Sequence, residues 1–278
     1  MPELPEVETI AHALAEGGRG SPPLIGHTIA EGEVLWARTL SSPGEAAFRR
    51  RVRGQTVRSI GRRGKFLLLT LEPDTLLFHL RMSGDLRLEA PGTPTHKHDR
   101  FVLRFTNGWR LAFNDARKFG RAWLVADPAE VLGRLGPEPL DPALTPADFH
   151  AMLSARKRLL KPLLLDQTFL AGLGNIYTDE ALHLARLHPL RLASSLDVDE
   201  SAALLEAIRA VLGEGIRRNG ASIDWVYRGG DFQNAFRAYG RVGQPCPQCE
   251  ELIQRLVVGQ RGTHICPNCQ TPPPKIVC

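Results

Sequence analysis

No apolar run in the 278-residue chain approaches the roughly 20 residues of a membrane-crossing helix, and the N-terminus has no basic segment followed by an apolar one. Neither a membrane span nor a secretory leader is expected, and a soluble, cytoplasmic protein is the expectation. Cysteine is scarce, five residues in all, and an intracellular setting argues against a disulfide framework. Acidic residues are missing between Arg49 and Lys65, where RRRVRGQTVRSIGRRGK carries eight basic side chains. Val52, Val57 and Ile60 give that stretch apolar anchors that a disordered tail lacks. It reads either as a folded basic surface that meets a polyanion or as a solvated strand-and-turn surface without a ligand. The net charge of +5 and the pI near 9.1 suit a polyanionic partner without requiring one. A hydrophobic content of 43% rules out wholesale disorder, and the length allows two domains of ordinary size.

The opening MPELPEVETI places Val7, Ile10, Ala11 and Leu14 at helical spacing, with Gly17-Gly18 as the stop and Pro2 at the helix N-terminus. Thereafter FLLLTL, TLLFHLRM, DRFVLRFT and WRLAFN alternate with turn signals. They predict an antiparallel β domain over residues 2–126, with Asn107-Gly108 as its clearest hairpin turn. Residues 127–146, with Pro128, Pro137, Pro139, Pro142 and Pro146, read as a linker. Thr145 is placed to cap a helix with Pro146 in its first position and Asp148 behind it. The helical region this opens runs to about Asn219-Gly220, and its domain is set at 147–236. Within it KPLLLDQTFL and NIYTDEALHLARL are two helical runs joined by AGLGN. Residues 237–278 are short strands and turns around cysteines.

Cys246-Pro-Gln-Cys249 and Cys266-Pro-Asn-Cys269 are separated by sixteen residues. Two such knuckles close a tetrahedral thiolate shell around one Zn²⁺, which leaves no open coordination position, so the metal is structural. Two disulfides or a redox pair are the competing reading. Cys278 is left as a spare thiol. Between the knuckles, Arg261 sits where a hairpin tip is expected; it either grips a phosphate or is an ordinary surface arginine. Asn175 either offers an anion site at a helix start or simply caps the helix. Removal of Met1 would expose the secondary amine of Pro2, which can attack an electrophilic sugar carbon and form an iminium. A helix N-terminus disfavours protonation of that amine, and Glu3 stands adjacent as a proton donor or relay. The alternative is that Pro2 starts a helix and the glutamates complement its dipole.

PELPEVE at the start, GRRGK ending at Lys65, GLGNIY in the helical region and a four-cysteine finger holding RGTH together resemble the bacterial formamidopyrimidine-DNA glycosylases, over essentially the whole chain. The resemblance implies an α+β multidomain fold: an N-terminal β-sandwich with an N-terminal helix, a helix-two-turn-helix domain and a zinc finger, the last two clamping DNA opposite the sandwich. It implies excision of oxidised purines from duplex DNA and β,δ-elimination, by a monomer associated with the nucleoid. Pro2 would be the Schiff-base nucleophile and Glu3 the acid, with Lys65 and Arg261 at phosphates and assisting elimination. Met82, Arg117 and Phe119 would fill the gap left by the flipped nucleotide, Arg117 also facing the widowed cytosine. His98, Arg156, Lys161 and Asn175 match positions that contact DNA. Met82 and Phe119, taken alone, would be core residues. ASIDWVYRGGDFQNA, between Gly220 and Phe236, departs from the family's loop over the flipped base. An endonuclease VIII-like pyrimidine glycosylase and a non-catalytic zinc-containing DNA-binding protein are the alternatives.

Overall fold

A computed structural model describes residues 1–222 and 229–272. Cys278 and the 223–228 part of the atypical stretch lie outside the described residues. The described residues divide into two compact units: 1–134 with 219–222 and 229–230, and 135–218 with 231–272.

The first unit begins with α1 (Leu4–Glu16), whose N-cap is Glu3 and whose first-turn proline is Pro5. Pro2 therefore stands one residue outside the cap, just before the helix, because Glu3 closes a capping box with Glu6 and takes the N-cap place. Then come β1 (Ile29–Val34), β2 (Leu40–Ser42), α2 (Glu45–Val52), β3 (Ser59–Arg63), β4 (Phe66–Thr70), β5 (Thr75–His79), β6 (Gly84–Glu89), β7 (Asp99–Phe105), β8 (Arg110–Asp115) and β9 (Arg121–Val125). Two sheets result, with orders β1-β7-β8-β6 and β2-β9-β5-β4-β3. Their inward faces share one core, in which Phe78 of one sheet meets Phe101 and Phe113 of the other at ring-centroid distances of 5.3 and 5.5 Å. β4 shows the period-2 logic directly: Leu67 and Leu69 are buried and the residues between them are not fully so. The pairing is antiparallel throughout except β2 with β9, which is parallel.

The turn at Asn107-Gly108 is a three-residue connection. Phe105 N–H donates to Trp109 O at 2.9 Å, and left-handed φ occurs at Gly108 (+86°) and not at Asn107. The basic stretch runs from α2 through β3 to the turn after it, and at least four of its seven arginines are ion-paired. Arg49 pairs with Glu45, Arg51 with Asp74, Arg58 with Glu72 and Arg62 with Glu8.

The residues read as a linker carry a short helix, α3 (Ala129–Leu132), and from Leu135 they belong to the second unit. Residues 219–222 and 229–230, read as part of the helical domain, cluster with the first unit. The bond from Ala221 N–H to Glu6 Oε1, 2.7 Å, anchors them there.

The second unit contains α4 (Pro146–Ser154), α5 (Leu160–Leu164), α6 (Asn175–Leu184) and α7 (Val198–Arg217), followed by the hairpin β10 (Gln254–Val258) and β11 (Arg261–Ile265). α7 packs on α4 and α6. Thr145 caps α4, accepting from Asp148 N–H at 3.1 Å, with Pro146 in the first turn. The run KPLLLDQTFL is helical only to Leu164. Asp166 Oδ1 accepts from Thr168 N–H at 3.0 Å, a local turn that competes with further helix. Among the described residues no helix is long and apolar enough to cross a membrane.

Thr145→Ala removes the acceptor for Asp148 N–H and should lower the stability of the second unit by about 1 kcal/mol, read by chemical denaturation.

Candidate active site and metal centre

Three glutamates crowd the chain start, and each has its own task. Glu3, 2% exposed, is the N-cap of α1. Glu6, equally buried, accepts Glu3 N–H on one oxygen at 2.7 Å and Ala221 N–H on the other at 2.7 Å. Glu8 accepts from Arg62 Nε at 2.6 Å and so ties α1 to β3. β3 and β4 are joined by the two-residue turn Gly64-Lys65, with Arg63 opposite Phe66. Gly64 has φ +57° at the first central position, the geometry in which glycine is favoured, and the turn delivers Lys65, 5% exposed. Pro2 is buried at the head of the same helix.

His79, at the end of β5, contributes to this region. It is 8% exposed, and burial first, then the charges of Arg81 and Lys65, lowers its pKa to about 3. Its Nδ1 accepts Arg81 N–H at 3.1 Å, which puts the proton of the neutral ring on Nε2.

Beyond β5 and β8, two loops are fastened to one carboxylate. Asp115, 1% exposed, accepts from Ser83 Oγ, from Arg117 N–H at 3.2 Å and from Gly120 N–H at 2.7 Å. Gly120 cannot be replaced without displacement, since a Cβ there would lie 2.3 Å from the Phe113 ring. Met82, beside Ser83, is half-buried, and Phe119 is 50% exposed under the Arg117 guanidinium, 5.2 Å from its ring centroid. Neither is a core residue. His98 joins the group through its carbonyl, which accepts Asp115 N–H at 2.8 Å, and Arg100 bridges His98 Nδ1 and Asp115 O.

In the second unit, Asn175 is the first residue of α6 and Arg261 the first of β11. The intervening β10–β11 turn, Gly259-Gln260, has φ of +54° and +63°, so Arg261 follows the hairpin tip and is exposed. Gly262 O accepts from Asn175 Nδ2 at 3.0 Å and from Lys161 Nζ at 3.1 Å. Lys161 is the expected DNA-contacting residue that the structure places elsewhere. It is 0% exposed, and its ammonium also donates to Asp179 Oδ1 at 2.6 Å and Thr263 Oγ1 at 2.8 Å. Three bonds use three N–H groups, so Lys161 fixes the Arg261 strand against α5 and α6 and has no proton left for a phosphate. Arg156 lies exposed just beyond α4.

The sulfurs of Cys246, Cys249, Cys266 and Cys269 all lie within 4.8 Å of one another. Zn–S bonds of about 2.3 Å in a tetrahedron require S···S near 3.8 Å, and the separations of 3.9 Å (Cys246–Cys269), 3.4 Å (Cys249–Cys266) and 3.4 Å (Cys249–Cys269) fit one zinc ion. Gln248 N–H and Cys269 N–H each point at a knuckle sulfur at 3.4 Å. Without metal, burial raises the Cys266 thiol, while the Asn268 side chain holds Cys249 down to about 6. Metal binding must therefore displace protons.

Residues 1–122 match the formamidopyrimidine-DNA glycosylase N-terminal domain and residues 135–226 its H2TH domain; residues 243–272 match a zinc finger described as found in FPG and IleRS. A formamidopyrimidine-DNA glycosylase of Protochlamydia amoebophila is 42% identical over 97% of this chain and 99% of its own. The chain belongs to the formamidopyrimidine-DNA glycosylase family. Among solved structures, the Lactococcus lactis glycosylase non-covalently bound to an AP-site-containing DNA has a TM-score of 0.88 at 35% identity, covering 98% of this chain and 100% of that one. A mutant of the same Lactococcus lactis enzyme, solved with a Fapy-dG containing DNA, gives 0.89 at 35% identity with the same coverage.

In this member of the family, sequence reasoning missed Glu6, His79 and Asp115. Glu6 stands in the quoted opening motif at capping-box spacing from Glu3, a signal that was available. His79 and Asp115 bond backbone amides a few residues on, but what makes them matter, the charge of Lys65 for His79 and the Ser83 hydroxyl for Asp115, comes from another part of the chain.

An unfolded histidine takes its proton near 6.5, and His79 in the fold only near 3. Protonation therefore favours the unfolded chain as pH falls between these values, costing on the order of 1 kcal/mol per pH unit. Denaturant melts at pH 7 and pH 5 should show this loss, and His79→Gln should shrink it.

Proposed function

We propose that the chain excises oxidised purines such as 8-oxoguanine and formamidopyrimidines from duplex DNA and then opens the strand at the abasic site, with Pro2 as nucleophile once Met1 is removed. The arrangement that carries this reading is the head of α1, where Pro2 directly precedes a buried, capped helix start and Glu3 and Glu6 stand beside it. As long as Met1 is attached, the Pro2 nitrogen is an amide and has no nucleophilic lone pair. Freed, it is a secondary amine facing the positive end of a helix, which keeps it unprotonated more of the time.

In this mechanism the amine attacks C1′, the damaged base departs with a proton, and Glu3 protonates the ring oxygen as the sugar opens. The resulting iminium withdraws electrons from C2′, so a proton is lost there and the 3′-phosphate leaves; loss of the 5′-phosphate follows by the same logic. Lys65, on its tight turn, assists the first elimination, and Arg261 the second. His79, with its proton on Nε2 and close enough to Lys65 to feel its charge, is a further phosphate donor of this region. Met82, Arg117 and Phe119 fill the space of the extruded nucleotide: a half-exposed phenylalanine under an arginine is costly in water and useful against an unstacked base step. His98, Arg156 and Asn175 contact the backbone, and Lys161 acts from behind by holding the Arg261 strand. The relatives solved with AP-site and Fapy-dG DNA support the substrate class. The enzyme works as a monomer on chromosomal DNA in the bacterial cytoplasm.

Borohydride should trap a covalent complex between the processed protein and an 8-oxoguanine:cytosine duplex. Pro2→Gly should abolish most of that adduct, and Glu3→Gln should slow excision by about 100-fold or more while leaving duplex affinity in place. Active protein that gives no adduct, or an undiminished adduct in Pro2→Gly, would sink the Pro2 mechanism. Affinity should also fall steeply with salt, through counterion release from the duplex.

A further inference from the structure

Helix α6 carries Asn175, Asp179 and His183 four residues apart, so the three share one face. Each reaches the C-terminal strands and turns: Asn175 Nδ2 to Gly262 O at 3.0 Å, Asp179 Oδ2 to His264 N at 2.9 Å, and His183 Nε2 to Cys246 Sγ at 3.2 Å. The third of these bonds ends on a metal ligand. His183 is 0% exposed, and its other ring nitrogen, Nδ1, has no partner among the described residues. A buried imidazole whose polar contact is a single sulfur would be poorly compensated if that sulfur were a neutral thiol, a weak hydrogen-bonding group. A zinc-bound thiolate is different, because it carries charge and can only accept.

We propose that His183 is a positioning residue of the zinc centre, donating its Nε2–H to the Cys246 thiolate and setting how firmly the finger holds its metal. The direction of the bond follows from the acceptor. In either protonation state of the ring, the nitrogen that faces an acceptor-only sulfur must carry the hydrogen. Zn²⁺ with four thiolates has a net charge of −2, and Cys246, 1% exposed, sits at its most buried side with Cys266. N–H donors to sulfur spread that charge and lower the competition of protons for the ligand. Gln248 N–H already points at Cys246 Sγ at 3.4 Å, and His183 supplies a second, charge-dispersing donor from a helix that is rigidly held. The same helix holds the segment leading into the first knuckle, since Glu180 accepts the N–H groups of Arg237, Ala238 and Tyr239 at 2.7–2.9 Å. Metal occupancy and the placement of Asn175 are thus linked through a single element. This inference concerns the finger and stands apart from the Pro2 chemistry.

The test compares zinc-loaded wild type with His183→Phe, which keeps a ring and removes the donor, and His183→Gln, which restores an N–H near the Nε2 position. Transfer of zinc to a chromogenic chelator should be about tenfold or more faster in His183→Phe and largely restored in His183→Gln. In cobalt-substituted protein, the thiolate-to-metal charge-transfer band of His183→Phe should move to longer wavelength, because an unbonded thiolate gives up its electron more easily. Equal release rates and an unmoved band in His183→Phe would overturn the proposal. Should that variant fail to fold, imidazole ¹⁵N spectra of the zinc-loaded wild type decide the matter. A proton on His183 Nε2 supports the bond, and a bare Nε2 refutes it.

Discussion

The first amides of an α-helix have no acceptor within the helix, and a buried helix start must find acceptors elsewhere. At α1 the acceptors are carboxylates, and much of the first unit is organised by that choice. Glu3 and Glu6 close on each other across the first turn, and the second oxygen of Glu6 is spent on the amide of Ala221. Glu8, further along the same helix, holds Arg62 and with it the strand that ends at the Gly64-Lys65 turn. Two segments remote in sequence, at Ala221 and at β3, are thus referred to the first turns of one helix. A carboxylate buried without such partners would be strongly unfavourable, so the positions of Glu3 and Glu6 allow little latitude to whatever precedes or touches them.

The second unit uses the same device with the signs reversed. Lys161 and Asp179 are each fully buried and pair at 2.6 Å, and between them they bind Gly262, Thr263 and His264. A buried ion pair is a weak source of net stability, because desolvation cancels most of the attraction. Its value lies in register: the bonds from Lys161 and Asp179 to Gly262, Thr263 and His264 tie β11 to one placement against α5 and α6. Arg261 inherits its position from that register, as does Asn175. Glu180 extends the scheme, its carboxyl pushed above the usual range by burial against the pull of three amides.

Much of this was legible beforehand, and particular residues show why. The four cysteines announced a metal shell by spacing alone, since C-x2-C geometry is local. Thr145, Pro146 and Asp148 announced a helix start for the same reason. The basic run at 49–65 was legible as charge and as surface, since Arg49, Arg50, Arg53 and Arg58 are exposed, but its ion pairs were not legible. Arg51 finds Asp74 and Arg62 finds Glu8 across 23 and 54 residues, and such distances leave no trace in composition. KPLLLDQTFL looked helical throughout, yet the Asp166 turn ends the helix after Leu164. Lys161 had the residue type of a phosphate ligand, and only its three internal partners show that it works inside the protein.

The amino-acid sequence by itself determined whatever rests on near neighbours: the capped helix starts, the alternating strands, the glycine turns and the zinc knuckles. These depend on backbone sterics and on bonds between residues a few positions apart. Tertiary structure decided which charges remain available, which carboxylates become anchors and which lysine is buried. Those outcomes depend on desolvation and on partners brought together by the packing of sheets and helices, and no short window of sequence contains them.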